Sequence, residues 1–207
     1  VGTDLGVFMT ENGGATWTSA TRPLGLPNVR VNDVKIATGL QTLFAATYGR
    51  GMWKFDLPKT YWPSSMTVIG GSLFSGTVAN LTSSDNTYVQ ILNDEFDANG
   101  EIELIFAATP GPVLELNLAF ETAATRADLT QILRLYDQVA GAWVAIDTRT
   151  ATIQDSRIVL NIASNASRFV SASGQVKARL QWIPQVDTSA VDGWTEKVDR
   201  FAIRIVR

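Results

Sequence analysis

The sequence predicts an all-β protein in two parts, a short repeat of strand pairs followed by an antiparallel β-sandwich. Three observations carry that prediction. Gly6-Val7-Phe8-Met9 has a counterpart 45 residues later in Gly51-Met52-Trp53-Lys54. Strict alternation of apolar and polar residues runs through much of the second part, the pattern of half-buried antiparallel strands. The longest helical segment expected is one short turn over residues 125–131.

The repeat occupies residues 1–57. Its offset is that of one four-stranded propeller blade. Residues 29–37 and 42–48 supply two further strand-like runs, separated by the turn TGLQ. Residues 10–17, TENGGATW, form a local device. Asn12 can accept backbone N–H bonds in the turn, Gly13 and Gly14 tolerate positive φ, and Trp17 is suited to wedge between sheets. Thr10, Asn12, Gly14, Thr16 and Trp17 resemble the Asp-box (BNR) repeat, Ser/Thr-x-Asp-x-Gly-x-Thr-Trp, with Asn12 where Asp is usual.

Segment 1–57 as a whole is similar to the end of a propeller of the sialidase, sortilin and xyloglucanase type. That resemblance implies partial β-propeller blades: strands two to four of one blade, then strands one to three of the next. It also implies a truncation or cleavage point at Val1 and further blades upstream. Strand edges at 5–10 and 51–55 are mostly apolar, guarded by Lys54 alone. They are expected to pair with upstream blades or with another copy of the chain.

Residues 58–65, PKTYWPSS, read as a linker, with Tyr61 and Trp62 joining the two parts. Over 66–207 the alternation resumes. Leu114, Leu116, Leu118 and Phe120 share one face, as do Val176, Ala178, Leu180 and Trp182, and Phe201, Ile203 and Ile205. Residues 131–147 read as a hairpin around QVAGA. With 66–71, 87–92, 102–109 and 157–163 the count suits an antiparallel β-sandwich, jelly-roll-like, with Trp143 and Trp182 in its core. Residues 64–91 are similar to a C-terminal module that follows repeat arrays and peptidase domains in large exported bacterial proteins. The matching features are Gly70-Gly71, the stretch Ser84-Asp85-Asn86-Thr87-Tyr88, and Tyr136 with Gly141-Ala142-Trp143. The resemblance implies an extracellular or cell-surface location.

Composition removes several chemistries. The 207 residues include no His and no Cys, so Ser-His and Cys-His pairs, disulfides and zinc-thiolate sites are all excluded. Net charge is −3 with acids and bases interspersed, so nucleic acid is not an expected partner. No apolar run reaches the roughly 20 residues of a bilayer-spanning helix.

Two sites are candidates. Glu95, Asp97 and Asn99 alternate ahead of Gly100 like the front half of a calcium loop, although Phe106 stands at the twelfth position where a bidentate acid belongs. The same stretch reads more readily as an acidic turn without metal, and no cofactor other than calcium is suggested. Trp194, flanked by Asp187, Asp192 and Glu196, offers a ring and acids to a carbohydrate. It reads more readily as a loop Trp folded back over the sandwich end.

The expected function is a non-catalytic part of a large exported repeat protein whose sandwich binds glycan or an extracellular protein. Two alternatives stay open: an accessory part of a propeller glycosidase with its active site upstream, and a structural subunit joined to its neighbours by strand pairing. No pair of carboxylates can be nominated for glycoside cleavage. The purified chain is therefore expected to release no nitrophenol from aryl glycosides. Turnover abolished by changing one carboxylate of this chain would contradict that.

Overall fold

The computed structural model describes residues 1–10, 13–19, 26, 28–38, 42–93, 99–185 and 193–206. It is all-β, and the chain divides into two compact units, Val1–Lys59 and Thr60–Arg207.

The first unit holds two three-stranded antiparallel sheets. One is β1 (Gly2–Thr3), β2 (Gly6–Met9) and β3 (Thr18–Ser19); the other is β4 (Val31–Ala37), β5 (Thr42–Thr47) and β6 (Gly51–Asp56). The two copies of the repeat thus start β2 and β6, each paired with the strand before it. Val7, Leu26, Val31, Leu43, Ala45 and Phe55 form its core. Alternation along β5 sends Leu43 and Ala45 inward. In the turn that precedes β3, Gly13 and Gly14 take φ of 69° and 98°, and Gly14 N donates to Thr10 Oγ1 at 2.9 Å. Asn12 lies outside the described residues. Trp17 is 48% exposed, so within this unit it is not the buried wedge expected of it.

A three-residue strand, β7 (Lys59–Tyr61), pairs with the last strand of the chain, and β8 starts at Pro63. The expected linker is therefore largely strand. Pro63 is tolerated because it is the first residue of an edge strand, where no ladder N–H is required.

The second unit is a two-sheet sandwich. One sheet has the order β15-β12-β17-β10-β9, built from β9 (Ser72–Ser75), β10 (Val89–Leu92), β12 (Glu115–Ala124), β15 (Ser156–Ile162) and β17 (Thr195–Val206). The other has the order β14-β13-β16-β11-β8, built from β8 (Pro63–Gly70), β11 (Gly100–Ala107), β13 (Leu129–Asp137), β14 (Ala142–Thr150) and β16 (Gln175–Pro184). The pairings along both orders are antiparallel, as the alternation requires.

The inner faces meet in one apolar core. Phe201 of β17 stacks on Phe120 of β12 at 5.1 Å and meets Phe106 of the facing sheet at 5.4 Å. Val176, Ala178, Leu180 and Trp182 are buried together, as their spacing predicts. Leu114 is not; it precedes β12 and is exposed.

Residues 125–131 form no helix. Leu129, Gln131, Leu133 and Leu135 point inward at a period of two, so the core demand of β13 overrides the local helical tendency. Among the described residues the helical segments within elements are two short 3-10 turns, Val78–Leu81 and Ala166–Phe169. No helix is long and apolar enough to cross a membrane.

Phe201 is the ring shared by both sheets. Phe201→Ala is expected to cost about 3–5 kcal/mol of unfolding free energy, read from urea denaturation. A loss under about 1 kcal/mol would show that the sheets are held elsewhere.

Candidate functional site

The outer face of the five-stranded sheet carries an ordered set of rings and planar polar groups. Register places Glu103, Arg179, Arg134 and Ala145 in one row across β11, β16, β13 and β14. Glu101 and Gln181 lie in the next row, and Tyr136 opposes Trp143 on the other side.

Arg179 donates through Nε to Glu103 Oε2 at 2.9 Å and pairs with Glu101 at 3.4 Å. Gln181 bridges the rows, donating to Glu101 Oε2 at 3.3 Å and accepting from Arg134 at 2.6 Å. The Tyr136 and Trp143 rings meet edge to face at 5.3 Å, with Arg179 over the indole at 4.1 Å and Lys177 over the phenol at 5.4 Å. All these side chains are half-buried: held in place, yet reachable from solvent.

Trp143 corrects the sequence reading, which put it in the core. It opposes Tyr136, whereas its neighbour Val144 opposes the buried Leu135 and turns inward. A bulge between Leu133 and Arg134 adds Ile146 to the inward set. The missed residues are Arg134, Lys177, Arg179 and Gln181, which alternation alone reads as a solvated face. The Tyr…Gly-x-Trp hairpin was the one signal pointing to this face.

The six-stranded sheet bears a second polar cluster. Carboxylate oxygens of Glu121, Asp155 and Asp199 lie within 4.8 Å of one another. Asp199 accepts from the backbone N–H groups of Asp85 and Asn86 at 3.4 and 3.2 Å, which ties down the Ser84–Tyr88 stretch. Asp155 accepts from Tyr88, and Glu121 faces Arg157 at 3.9 Å. Burial, then the charges of Asp199 and Glu121, push the Asp155 carboxyl up; burial, then Asp155, push the Tyr88 phenol up. Hydrogen bonds from Ser83 and Thr87 hold Asp85 down. Each acid here has a protein partner, which makes the cluster a brace for the motif.

The other sequence-nominated residues fall differently. Trp194 is 2% exposed: its backbone N–H donates to Asn93 Oδ1 at 2.9 Å, its backbone carbonyl accepts from Asn93 N, and the ring turns into the core. It offers no ring face to a sugar. Glu196 is fully buried on β17, opposite Ile91 and Ala124, because the strand starts at Thr195 and sends it inward. Asp187, Asp192, Glu95 and Asp97 lie outside the described residues. Asn99 is described, and its Oδ1 is buried without a hydrogen-bond partner.

No known protein family matches the chain, and no curated protein matches it. Solved structures similar to it include the N-terminal cellulose-binding domain of Cellulomonas fimi β-1,4-glucanase C, at 13% identity and TM-score 0.45, covering 68% of this chain and 88% of that one. TmCBM61 in complex with β-1,4-galactotriose aligns at 11% identity and TM-score 0.39, over 70% and 86% of the two chains. A family 29 carbohydrate-binding module aligns at 11% and TM-score 0.42, over 72% and 92%.

Glu196 gives a pH dependence with a definite sign. Burial pushes its carboxyl from 4.5 up to about 9. Below pH 4.5 both folded and unfolded chains hold the proton. Between 4.5 and about 9 only the folded chain keeps it, so stability falls by up to about 1.4 kcal/mol per pH unit across that window. Melting in chelator should show this decline, and Glu196→Gln should flatten it. An equal slope in the variant would assign the pH dependence to another group.

Proposed function

We propose that the second unit is a non-catalytic glycan-binding module whose platform is the outer face of the five-stranded sheet. The observation behind this reading is the contiguity of the Tyr136–Trp143 rings with the Arg134–Gln181–Glu101–Arg179–Glu103 ladder. The C–H face of a sugar packs on an aromatic surface, while planar groups such as guanidinium, amide and carboxylate read neighbouring hydroxyls in pairs.

The charge balance of the face favours acidic sugars. Arg179 is neutralised by two glutamates, but Arg134 bonds a neutral amide and Lys177 lies over a ring. Neither of these two cations has an ion-pair partner among the described residues. A uronate carboxylate beside the rings would supply it. The module serves, on this reading, as part of a larger exported protein acting at the cell surface or outside the cell.

A second reading concerns the first unit, whose Leu5, Ile36, Tyr48 and Met52 are exposed, Tyr48 and Met52 by 71% and 73%. Apolar surface of this kind supports packing against further β-structure, either propeller blades or another copy. A solution mass above that of one chain would favour self-association.

Binding to polygalacturonate should exceed binding to neutral galactan and weaken with salt. Loss of one stacking ring is worth about 1.5 kcal/mol, so Trp143→Ala should cost roughly tenfold in affinity by calorimetry. Full binding by Trp143→Ala would remove the platform from this face. Equal affinity for neutral and acidic chains would remove the charge preference alone.

A further inference from the structure

The described residues include four buried acids: Glu121, Asp137, Glu196 and Asp199. Three have partners. Asp137 takes Arg168 and the N–H groups of Val139 and Ala140; Asp199 takes two backbone N–H groups; Glu121 faces Arg157. Glu196 is fully buried, and neither of its carboxylate oxygens has a hydrogen-bond partner. Leaving a buried acceptor unmade costs about 1–3 kcal/mol, more when it is charged, so such a group calls for an occupant.

The surroundings are shaped around these oxygens. A Cβ on Gly100 would fall 2.0 Å from Glu196 Oε1 and 2.7 Å from Oε2. Gly100 has no positive φ, so its conformation does not require glycine; the carboxyl's space does. Asn99, the preceding residue, repeats the pattern. Its Oδ1 is buried and unpartnered, and a Cβ on Gly70 would fall 1.9 Å from it. Gly70 also has no positive φ. Three orphan oxygens therefore lie against two glycines, the Glu196 pair on Gly100 at the start of β11 and Asn99 Oδ1 on Gly70, and none has a hydrogen-bond donor among the described residues.

Orphan acceptors without donors are what a hard cation seeks. We propose that Glu196, through both carboxylate oxygens, and Asn99, through Oδ1, bind a divalent cation of the calcium class between the two sheets. Calcium takes 6–8 oxygens, so water and carbonyl oxygens complete the shell. Binding replaces a proton: the Glu196 carboxylic acid loses one H⁺ to solvent, and the resulting carboxylate is neutralised by the metal. The proposal does not rest on the glycan platform, although Glu101 of that platform directly follows Gly100 and pairs with Gly70.

The test uses the whole chain, stripped with chelator and then given calcium or terbium. Calcium should raise the melting temperature by several degrees and release about one proton per chain in weak buffer. Terbium should show luminescence sensitised by tryptophan, with Trp194 two residues from Glu196. Glu196→Gln, a neutral isostere, should lose all three responses, and Asn99→Ala should need at least severalfold more calcium. Responses unchanged in Glu196→Gln would place the metal elsewhere and overturn the proposal. Absence of any calcium or terbium response in the wild-type chain would overturn it without reference to a variant, including the case where Glu196→Gln fails to fold.

Discussion

The sandwich depends on where β17 lies. It runs between β12 and β10 in the middle of the six-stranded sheet, and its ladder with β12 extends from Glu115–Val206 to Ala124–Glu196. Phe201 at its centre touches Phe120 in its own sheet and Phe106 in the other. A strand paired on both sides and pinned through the core cannot shift register without turning its apolar set to solvent. Its neighbours inherit that constraint.

One irregularity in this strand distributes the acids. The ladder pairs Thr122 with Val198 and Glu121 with Arg200, leaving Asp199 as the extra residue of a bulge. Asp199 thereby reaches the backbone of Asp85 and Asn86, while Glu196 and Val198 remain buried beneath the sheet. Two acids three residues apart therefore meet opposite fates. Asp199 is satisfied by peptide N–H groups, and Glu196 is left against Gly100. Burial without a donor pushes the Glu196 carboxyl up to about 9.

The five-stranded sheet shows how a plain alternating pattern can become a recognition surface. Its inner face is Leu, Ile, Phe and Trp182, and its outer face takes whatever the alternate positions hold. Those positions carry two rings and five polar groups whose hydrogen bonds and ion pairs cross three strands, with the Trp143 ring on a fourth. Each group is held by its neighbours before any ligand arrives, which limits the rotamer entropy lost on binding.

The sequence by itself determined the all-β class, the 45-residue repeat and most strands of the sandwich. Those features reside in local periodicity, and a period of two over Val176–Trp182 or Phe201–Ile205 needs no distant partner to be read. Even the assignment of Trp182 to the core followed from it. Tertiary structure decided which face of each hairpin turned inward, and so put Trp143 outside and Trp194 inside. It made strand of the proline-bearing stretch before Met66, and it overrode a helical turn at 125–131. It also brought Glu196 over Gly100 and Asn99 over Gly70. The physical reason is that inward or outward orientation, and the satisfaction of a buried oxygen, are set by pairing between strands far apart in the chain.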